Sequence, residues 1–152
     1  IGTYTATVDD YDEGPTSQSV TITPKVRGES YTLKSIGGFN FTLLYDKASG
    51  KLILDSQSIS PVSSSSYYFA CAAGVEGYAH TELSLPSRLR SGLVNVTANT
   101  NPFTFYFADK ASQENTLLII WAYSSDEYST SGLMGYWSWY NSILMEKENE
   151  GN

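Results

Sequence analysis

The stretch FNFTLLYDKASGKLIL, residues 39–54, decides the fold class of this chain. Its first half places apolar side chains at every second position: Phe39, Phe41, Leu43 and Tyr45. This period of two is typical of a β-strand with one buried face, because successive strand side chains point to opposite faces. Gly50 supplies the positive φ that a tight turn requires, and the apolar segment 51–54 follows it at once. The stretch therefore predicts an antiparallel β-hairpin.

The same alternation extends from this hairpin in both directions, broken by turn signals at the roughly 8–12-residue spacing typical of sandwiches and barrels. Two further sets of alternating side chains are predicted to point inward: Tyr4, Ala6 and Val8, and later Phe103, Phe105 and Phe107. The run TLLIIWAY (116–123) is apolar throughout, which predicts a strand covered on both faces. Pro24 is predicted to end the strand at 19–23, and the Ser-rich segment 58–66 is predicted to be a loop.

These segments amount to nine or ten strands, with at most one helical turn within 84–93. The sequence therefore predicts an all-β fold, a single antiparallel meander β-barrel of about 8–10 strands. A β-sandwich is the alternative, and the barrel is favoured because closure removes exposed strand edges. We expect one barrel domain over residues 1–146 and a solvated C-terminal tail over 147–152.

The composition favours an exported protein. Charged residues make up 16% of the 152 residues, below the typical ~25%, so Ser, Thr and Asn supply much of the polar surface. The net charge is −7 and the nine Lys and Arg residues are scattered, which argues against nucleic-acid binding because phosphate neutralisation needs clustered basic side chains. No stretch approaches the ~20 apolar residues of a membrane-spanning helix. We expect neither a nucleic-acid partner nor a membrane span.

The sequence contains no recognisable catalytic or metal-binding set. His80 is the only histidine, no Gly-x-Ser-x-Gly motif is present, and His80 is interpreted as a surface residue. Cys71 is the only cysteine and alternates with aromatic residues, which predicts a buried and unreactive thiol. We therefore expect no enzyme activity, no cofactor and no metal.

Two acidic segments leave an alternative open, DDYDEG at 9–14 and the pair Asp126-Glu127. Asp10 and Asp12 echo a calcium loop, but the closing glutamate of an EF-hand is missing. Paired carboxylates that face each other at roughly 5–9 Å could instead hydrolyse a glycoside. A solvated turn is the favoured interpretation of 9–14, and a carboxylate-based hydrolase is the less favoured alternative.

Four segments resemble the lipocalin-like (calycin-like) β-barrel domains of Bacteroides-type exported proteins and lipoproteins: IGTYTATV (1–8), YTLKSIGGF (31–39), LLYDKASGKLILDSQSI (43–59) and YWSWYNSILMEK (136–147). The resemblance spans most of the chain. It implies a β-barrel that is exported to the cell surface, the outer membrane or the periplasm. It also implies a lipid anchor on residues outside this chain, and it supplies no catalytic residues.

The segment GYWSWYNSI (135–143) is the strongest candidate for a ligand site. Trp and Tyr rings stack on sugars and other flat ligands because they offer apolar area with little conformational entropy to lose. Unbroken alternation would place one set of side chains on an inward face: Leu133, Trp137, Trp139, Asn141, Ile143 and Met145. The opposite face, with Tyr136 and Tyr140, would then be exposed to solvent.

The amide of Asn141 on that inward face would need a hydrogen-bond partner, as in a pocket. The predicted ligand-binding set is Trp137, Trp139, Asn141, Trp121 and Phe105. The predicted function is a non-enzymatic, exported or cell-surface module that binds a small hydrophobic or glycan ligand. The alternative is a structural or protein-interaction module whose aromatic rings fill the core, because a small barrel needs large side chains inside.

Overall fold

The computed structural model describes residues 2–48, 50–54, 57–74, 101–108, 115–128 and 130–148, which are almost entirely β. Ten strands lie within these ranges: β1 Gly2–Asp10, β2 Gly14–Val26, β3 Ser30–Ile36, β4 Phe39–Asp46, β5 Lys51–Ile53, β6 Gln57–Pro61, β7 Tyr68–Gly74, β8 Phe103–Ala108, β9 Asn115–Tyr123 and β10 Leu133–Lys147. A short 3-10 turn, Thr130–Gly132, precedes β10. His80 and the helical turn predicted within 84–93 lie outside the described residues.

Eight of the strands close into an antiparallel barrel, in the order β3–β2–β1–β10–β9–β7–β6–β4 and back to β3. Of the other two, β5 pairs with the edge of β4, and β8 pairs with both β10 and β9. With β5 and β8 set aside, neighbouring strands of the barrel are consecutive along the chain, which is the meander that was predicted. The barrel prediction is thus confirmed over the sandwich.

β10 closes the barrel. One edge of this 15-residue strand pairs with β1 over positions 140–147. The other edge pairs first with β9, over 133–140, and then with β8, over 142–145. Because β10 is long enough to pair with two strands on one edge, the edges of β1 and β9 that face it have no exposed, unpaired backbone groups.

The barrel interior is filled by side chains. The inward positions of all strands except β10's first half form one apolar cluster, here called the inner cluster. Its largest members are Tyr4, Phe39, Phe41, Phe69, Phe103, Phe105, Phe107 and Tyr140. Both sets of side chains that were predicted to alternate inward, on β1 and on β8, belong to it. Each large apolar side chain removed from water contributes roughly 1.5–3 kcal/mol, so this cluster is the main source of stability.

β9 is buried on both faces, as its continuous apolar run predicted. Leu118, Ile120 and Ala122 belong to the inner cluster. The residues between them lie on the outside of the barrel in a second, outer cluster, made of Ala70, Leu117, Ile119, Trp121 and Tyr123 with Tyr128, Leu133 and Trp139 packed against it. Cys71, on the neighbouring β7, is fully buried in the inner cluster, so the predicted burial is confirmed.

Two predicted element boundaries differ from the structure. Pro24 does not end β2, since it pairs with Tyr31 and is followed by a register shift of the kind that tolerates proline. Residues 58–61, predicted as part of a loop, belong to β6, whose Ile59 points into the inner cluster.

One edge of β4 pairs with two strands in succession, β6 and β5. The side chain of Gln57 spans the gap between these two ladders. β4 pairs with β6 at Phe39 and Asn40, and with β5 from Leu44 onward. Between these ladders the Thr42 N–H donates to Gln57 Oε1 at 2.8 Å, and Gln57 Nε2 donates to the Thr42 carbonyl at 2.9 Å. The amide of Gln57 thus replaces one strand residue, so the backbone groups of Thr42 keep their partners where the sheet opens.

The β3–β4 turn packs onto the barrel through Gly37. Gly37 and Gly38 have φ of 58° and 88°, the left-handed region that glycine favours. A Cβ on Gly37 would collide with the Tyr140 hydroxyl, whereas a Cβ on Gly38 would meet no atom within 4 Å. The turn and β10 are therefore in contact at a point that admits no side chain.

The Gly37→Ala substitution is expected to lower the free energy of unfolding by about 2–4 kcal/mol, because left-handed strain and the collision with Tyr140 add together. Gly38→Ala, the matched control, carries the strain alone and is expected to cost about 1 kcal/mol. Urea denaturation followed by tryptophan fluorescence measures both. Tyr140→Phe in the Gly37→Ala background should restore part of the loss, and equal effects of the two alanine variants would contradict the proposed contact.

Candidate functional site

Register shifts on β10 place aromatic side chains on different faces of the strand, although they were predicted to share one face. Against β9, Tyr136 pairs with Trp121 and Ser138 with Ile120, so Trp137 is an extra, bulged residue. Trp139 then points outward, onto the outer cluster, while the Trp137 ring lies edge-on against Phe69 of the inner cluster at 5.1 Å. The prediction that Trp137 and Trp139 share a face is wrong, because each bulge shifts the alternation by one residue.

A second bulge lies at Asn141. Against β1, Ser142 pairs with Asp9 and Tyr140 with Asp10, so Asn141 has no place in the ladder and its side chain is exposed. Tyr140 turns inward and is buried, and burial raises the pKa of its hydroxyl. Both predictions for this pair are therefore wrong: Asn141 is not on an apolar face, and Tyr140 is not on a solvent-facing one.

The five residues of the predicted ligand set are not brought together. Phe105 is fully buried inside the barrel, and Trp121 is fully buried in the outer cluster. Trp137 is 52% exposed, Asn141 is exposed and Trp139 is half-buried. None of the five lines the cleft described below, and a role in binding stays a prediction for each.

The acidic loop between β1 and β2 packs against Trp139 and is hydrogen-bonded to it. Asp10 Oδ1 accepts hydrogen bonds from the backbone N–H groups of Asp12 and Glu13, at 2.9 and 3.0 Å. Asp12 Oδ2 accepts from the Trp139 indole at 2.7 Å. The Tyr11 ring lies edge-on to Trp139, and the Tyr11 N–H donates to the Trp139 carbonyl. The carboxylates of this loop thus hold the hairpin against β10. Among the described residues no three His, Cys, Asp or Glu side chains are grouped to hold a metal ion.

A cleft of about 610 Å³ lies across β4, β6 and β7 and the loop that joins β6 to β7. Its described lining residues are Lys25, Thr32, Asn40, Phe41, Thr42, Gln57, Ser58, Ile59, Ser60, Pro61, Ser65, Tyr67, Tyr68, Phe69 and Tyr128. They combine hydroxyl and amide groups with tyrosine rings, and Lys25 is the one charged side chain among them. This mixture of rings with neutral hydrogen-bonding groups makes the cleft the candidate binding site.

The polar wall of the cleft comes from outward positions of β3 and β4. Thr32 and Thr42 face each other across these strands and alternate with the buried Leu33 and Phe41, so their hydroxyls point away from the barrel interior. The Lys25 ammonium lies 3.4 Å from the Thr42 hydroxyl oxygen. The floor of the cleft lies along the β4 edge at Thr42, where the side chain of Gln57 takes the place of a paired strand.

The aromatic wall comes from β7 and the loop after β9. Tyr68 is 43% exposed and pairs across the ladder with Tyr123 of the outer cluster. Tyr128 packs edge-on against Tyr123 at 5.3 Å, and the Ser58 side chain lies near enough to its hydroxyl to lower the pKa of Tyr128 slightly. Burial raises the pKa of Tyr128, so its hydroxyl is neutral at physiological pH and can act as a donor.

Sequence reasoning missed this cleft because its residues come from separate segments of the chain. The outward polar positions of β3 and β4 carry no signal beyond ordinary alternation, and the Ser-rich composition of 58–66 predicts a loop. The pair Tyr67-Tyr68 after a Ser-rich stretch was the one available signal, since two adjacent tyrosines cannot both point into the core of one strand.

Tyr123 gives the aromatic wall a dependence on pH. Burial, with a smaller effect of Tyr128, raises the pKa of Tyr123 from 10.0 to about 12. Between pH 10 and pH 12 the Tyr123 hydroxyl is ionised in the unfolded chain but still protonated in the folded one. The free energy of unfolding therefore falls as the pH rises from 10 towards 12, by up to about 3 kcal/mol.

The Tyr123→Phe substitution is expected to make unfolding less sensitive to pH between 10 and 12. At pH 7 it should leave stability unchanged or raise it by about 1 kcal/mol, because the Tyr123 hydroxyl is buried without a hydrogen-bond partner among the described residues. Urea denaturation at neutral and alkaline pH measures both effects. Parallel losses in the two proteins above pH 10 would show that another group is responsible.

Comparisons with known proteins define the family. No curated protein and no solved structure matches the chain. None of the helical residues that the structure describes belongs to a helix with the length and apolar character needed to cross a membrane. The model of DUF4987, a domain of unknown function, matches residues 1–121, so the matched region ends inside β9 and β10 lies beyond it. The match covers well over half of the chain, which therefore belongs to the DUF4987 family.

Proposed function

We propose that this β-barrel is a non-enzymatic binding module whose cleft holds a carbohydrate. The observation that carries the proposal is the cleft itself, about 610 Å³ in volume and lined by hydroxyls, amides and exposed tyrosine rings. This volume lies within the range of roughly 300–1,000 Å³ for small-molecule sites. The lining residues reach it from several strands of a rigid barrel, which holds them in fixed positions.

Carbohydrate chemistry matches this lining. A sugar presents many hydroxyl groups, which need neutral donors and acceptors such as Thr42, Asn40 and Ser60. A pyranose ring also has an apolar face of C–H groups, which packs on aromatic rings such as Tyr68. A purely apolar ligand would leave the hydroxyls and amides of the cleft without partners, at about 1–3 kcal/mol for each buried group.

The side chains that fill the barrel interior argue against a ligand bound inside the barrel. Barrels that hold a hydrophobic ligand inside have an open lumen. Here Phe41, Phe105 and Phe107 are almost completely buried at the centre of the inner cluster. This supports a glycan on the outer surface over a small hydrophobic ligand inside.

The same filled core favours a second candidate, a structural or protein-interaction module. In that case the exposed rings around the cleft would contact a protein partner, since aromatic residues are enriched at interfaces. The two candidates predict different responses to free oligosaccharides.

Binding to an array of plant, microbial and host glycans, followed by isothermal titration calorimetry of the glycans that bind, is expected to give a carbohydrate ligand. Tyr68→Ala should weaken its binding about tenfold, because the exposed ring that stacks on the sugar is lost. Tyr106→Ala is the matched control: Tyr106 is an exposed tyrosine of β8, 52% accessible, that does not line the cleft. No binding to any glycan on the array would reject the carbohydrate proposal in favour of the interaction module.

The proposal also includes export, with the barrel at the cell surface, in the outer membrane or in the periplasm. A charged fraction of 16% and the lipocalin-like resemblance of segments 1–8, 31–39, 43–59 and 136–147 support it. A lipid anchor on residues outside this chain is part of the same proposal.

Fractionation of native cells tests export. The full-length protein is expected in the envelope or periplasmic fraction, and its recovery with a cytoplasmic marker enzyme would contradict the proposal. Transfer of the protein into the detergent phase would support the lipid anchor.

A further inference from the structure

Trp137 is the exposed tryptophan of the described chain. Its side chain is 52% exposed, whereas Trp121 is fully buried and Trp139 is half-buried with its indole bound to Asp12. The Trp137 ring packs in a T-shaped arrangement with Phe69 of the inner cluster, at a centroid distance of 5.1 Å and an interplanar angle of 72°. The ring is thus supported from beneath, and much of its surface remains open to solvent.

The bulge accounts for this position. An extra residue in a strand leaves the ladder and re-aims its side chain, and bulges occur frequently beside functional sites. A half-exposed tryptophan ring loses part of the free energy that its full burial would contribute. A polar side chain at this position would lose none.

Trp137 adjoins the candidate cleft through Tyr67. The two ring centroids lie 6.5 Å apart, and Tyr67 itself lines the cleft beside Tyr68. Tyr67 is 40% exposed and its backbone N–H is held by the Ser65 hydroxyl, at 3.0 Å. The contact between Tyr67 and Trp137 therefore extends the aromatic lining of the cleft, to which Tyr68 also contributes, towards β10.

We infer that Trp137 is a second stacking subsite, and that the ligand is an oligosaccharide that reaches from the cleft to this ring. The inference rests on the proposed carbohydrate function and adds the length of the ligand and a residue outside the cleft. Because Trp137 lies outside the lining of the cleft, one sugar unit would lie against the polar wall at Thr42 and another would stack on Trp137. The linked sugars gain affinity because the second contact is made within one molecule.

Calorimetric titration with monosaccharides, disaccharides and hexasaccharides of the linear glycan type bound on the array tests this inference. The wild-type protein is expected to bind the hexasaccharide at least tenfold more tightly than the monosaccharide. Trp137→Ala should weaken hexasaccharide binding about tenfold and leave monosaccharide binding in the cleft unchanged. Trp137→Phe keeps an aromatic ring and should retain most of the affinity.

Met134→Ala is the matched control. Met134 is also a bulged residue of β10, is 57% exposed and lies outside the cleft lining, but it has no aromatic ring on which a sugar could stack. A spectroscopic readout accompanies the titration: saturating hexasaccharide should protect tryptophan fluorescence from iodide quenching in the wild-type and Met134→Ala proteins. The protected component should be missing from Trp137→Phe.

The outcomes separate the two proposals. Hexasaccharide binding that Trp137→Ala leaves unchanged would overturn the second subsite and leave the cleft proposal standing, as would equal affinities for monosaccharide and hexasaccharide. The absence of binding by any carbohydrate would overturn the cleft proposal and the inference together. Loss of hexasaccharide affinity in Trp137→Ala but not in Met134→Ala is the expected result.

Discussion

The pairing of β10 with β1 closes the barrel, and the positions of the other functional elements depend on it. β10 must follow β1 on one edge and two successive partners, β9 and β8, on the other. A strand that bends between partners commonly takes up the mismatch in bulges. In β10 the bulged residues are Met134, Trp137 and Asn141, and all three side chains are exposed. Closure of the barrel therefore determines which side chains of the aromatic strand reach solvent.

The cleft depends on a second departure from a regular ladder. Where β4 changes partners from β6 to β5, the amide of Gln57 supplies the hydrogen bonds that a strand would have supplied to Thr42. Satisfied backbone groups allow the sheet to open there without the penalty of buried, unpaired polar groups. Polar side chains of β3 and β4 then face tyrosine rings from β7 and the loop after β9. The glycan proposal draws on this opposition of a polar wall and an aromatic wall.

Much of the fold could be predicted from residue patterns, and little of the candidate site. Phe103, Phe105 and Phe107 point inward as their spacing indicated, and β9 is covered on both faces as its apolar run indicated. Around Trp137 the same rule failed, because alternation holds only within an uninterrupted ladder. The acidic residues of 9–14 could not be assigned from the sequence either, since the partner of Asp12 is Trp139, which lies far along the chain.

The sequence by itself determined the all-β class, the antiparallel barrel and the inward side chains of its regular strands. These features follow from local periodicity and turn chemistry, which are properties of neighbouring residues. Only the tertiary structure decided where the bulges fall, which tryptophan is exposed and where the cleft opens. Those depend on how strands distant in the chain align when the barrel closes, because register is a property of two strands together.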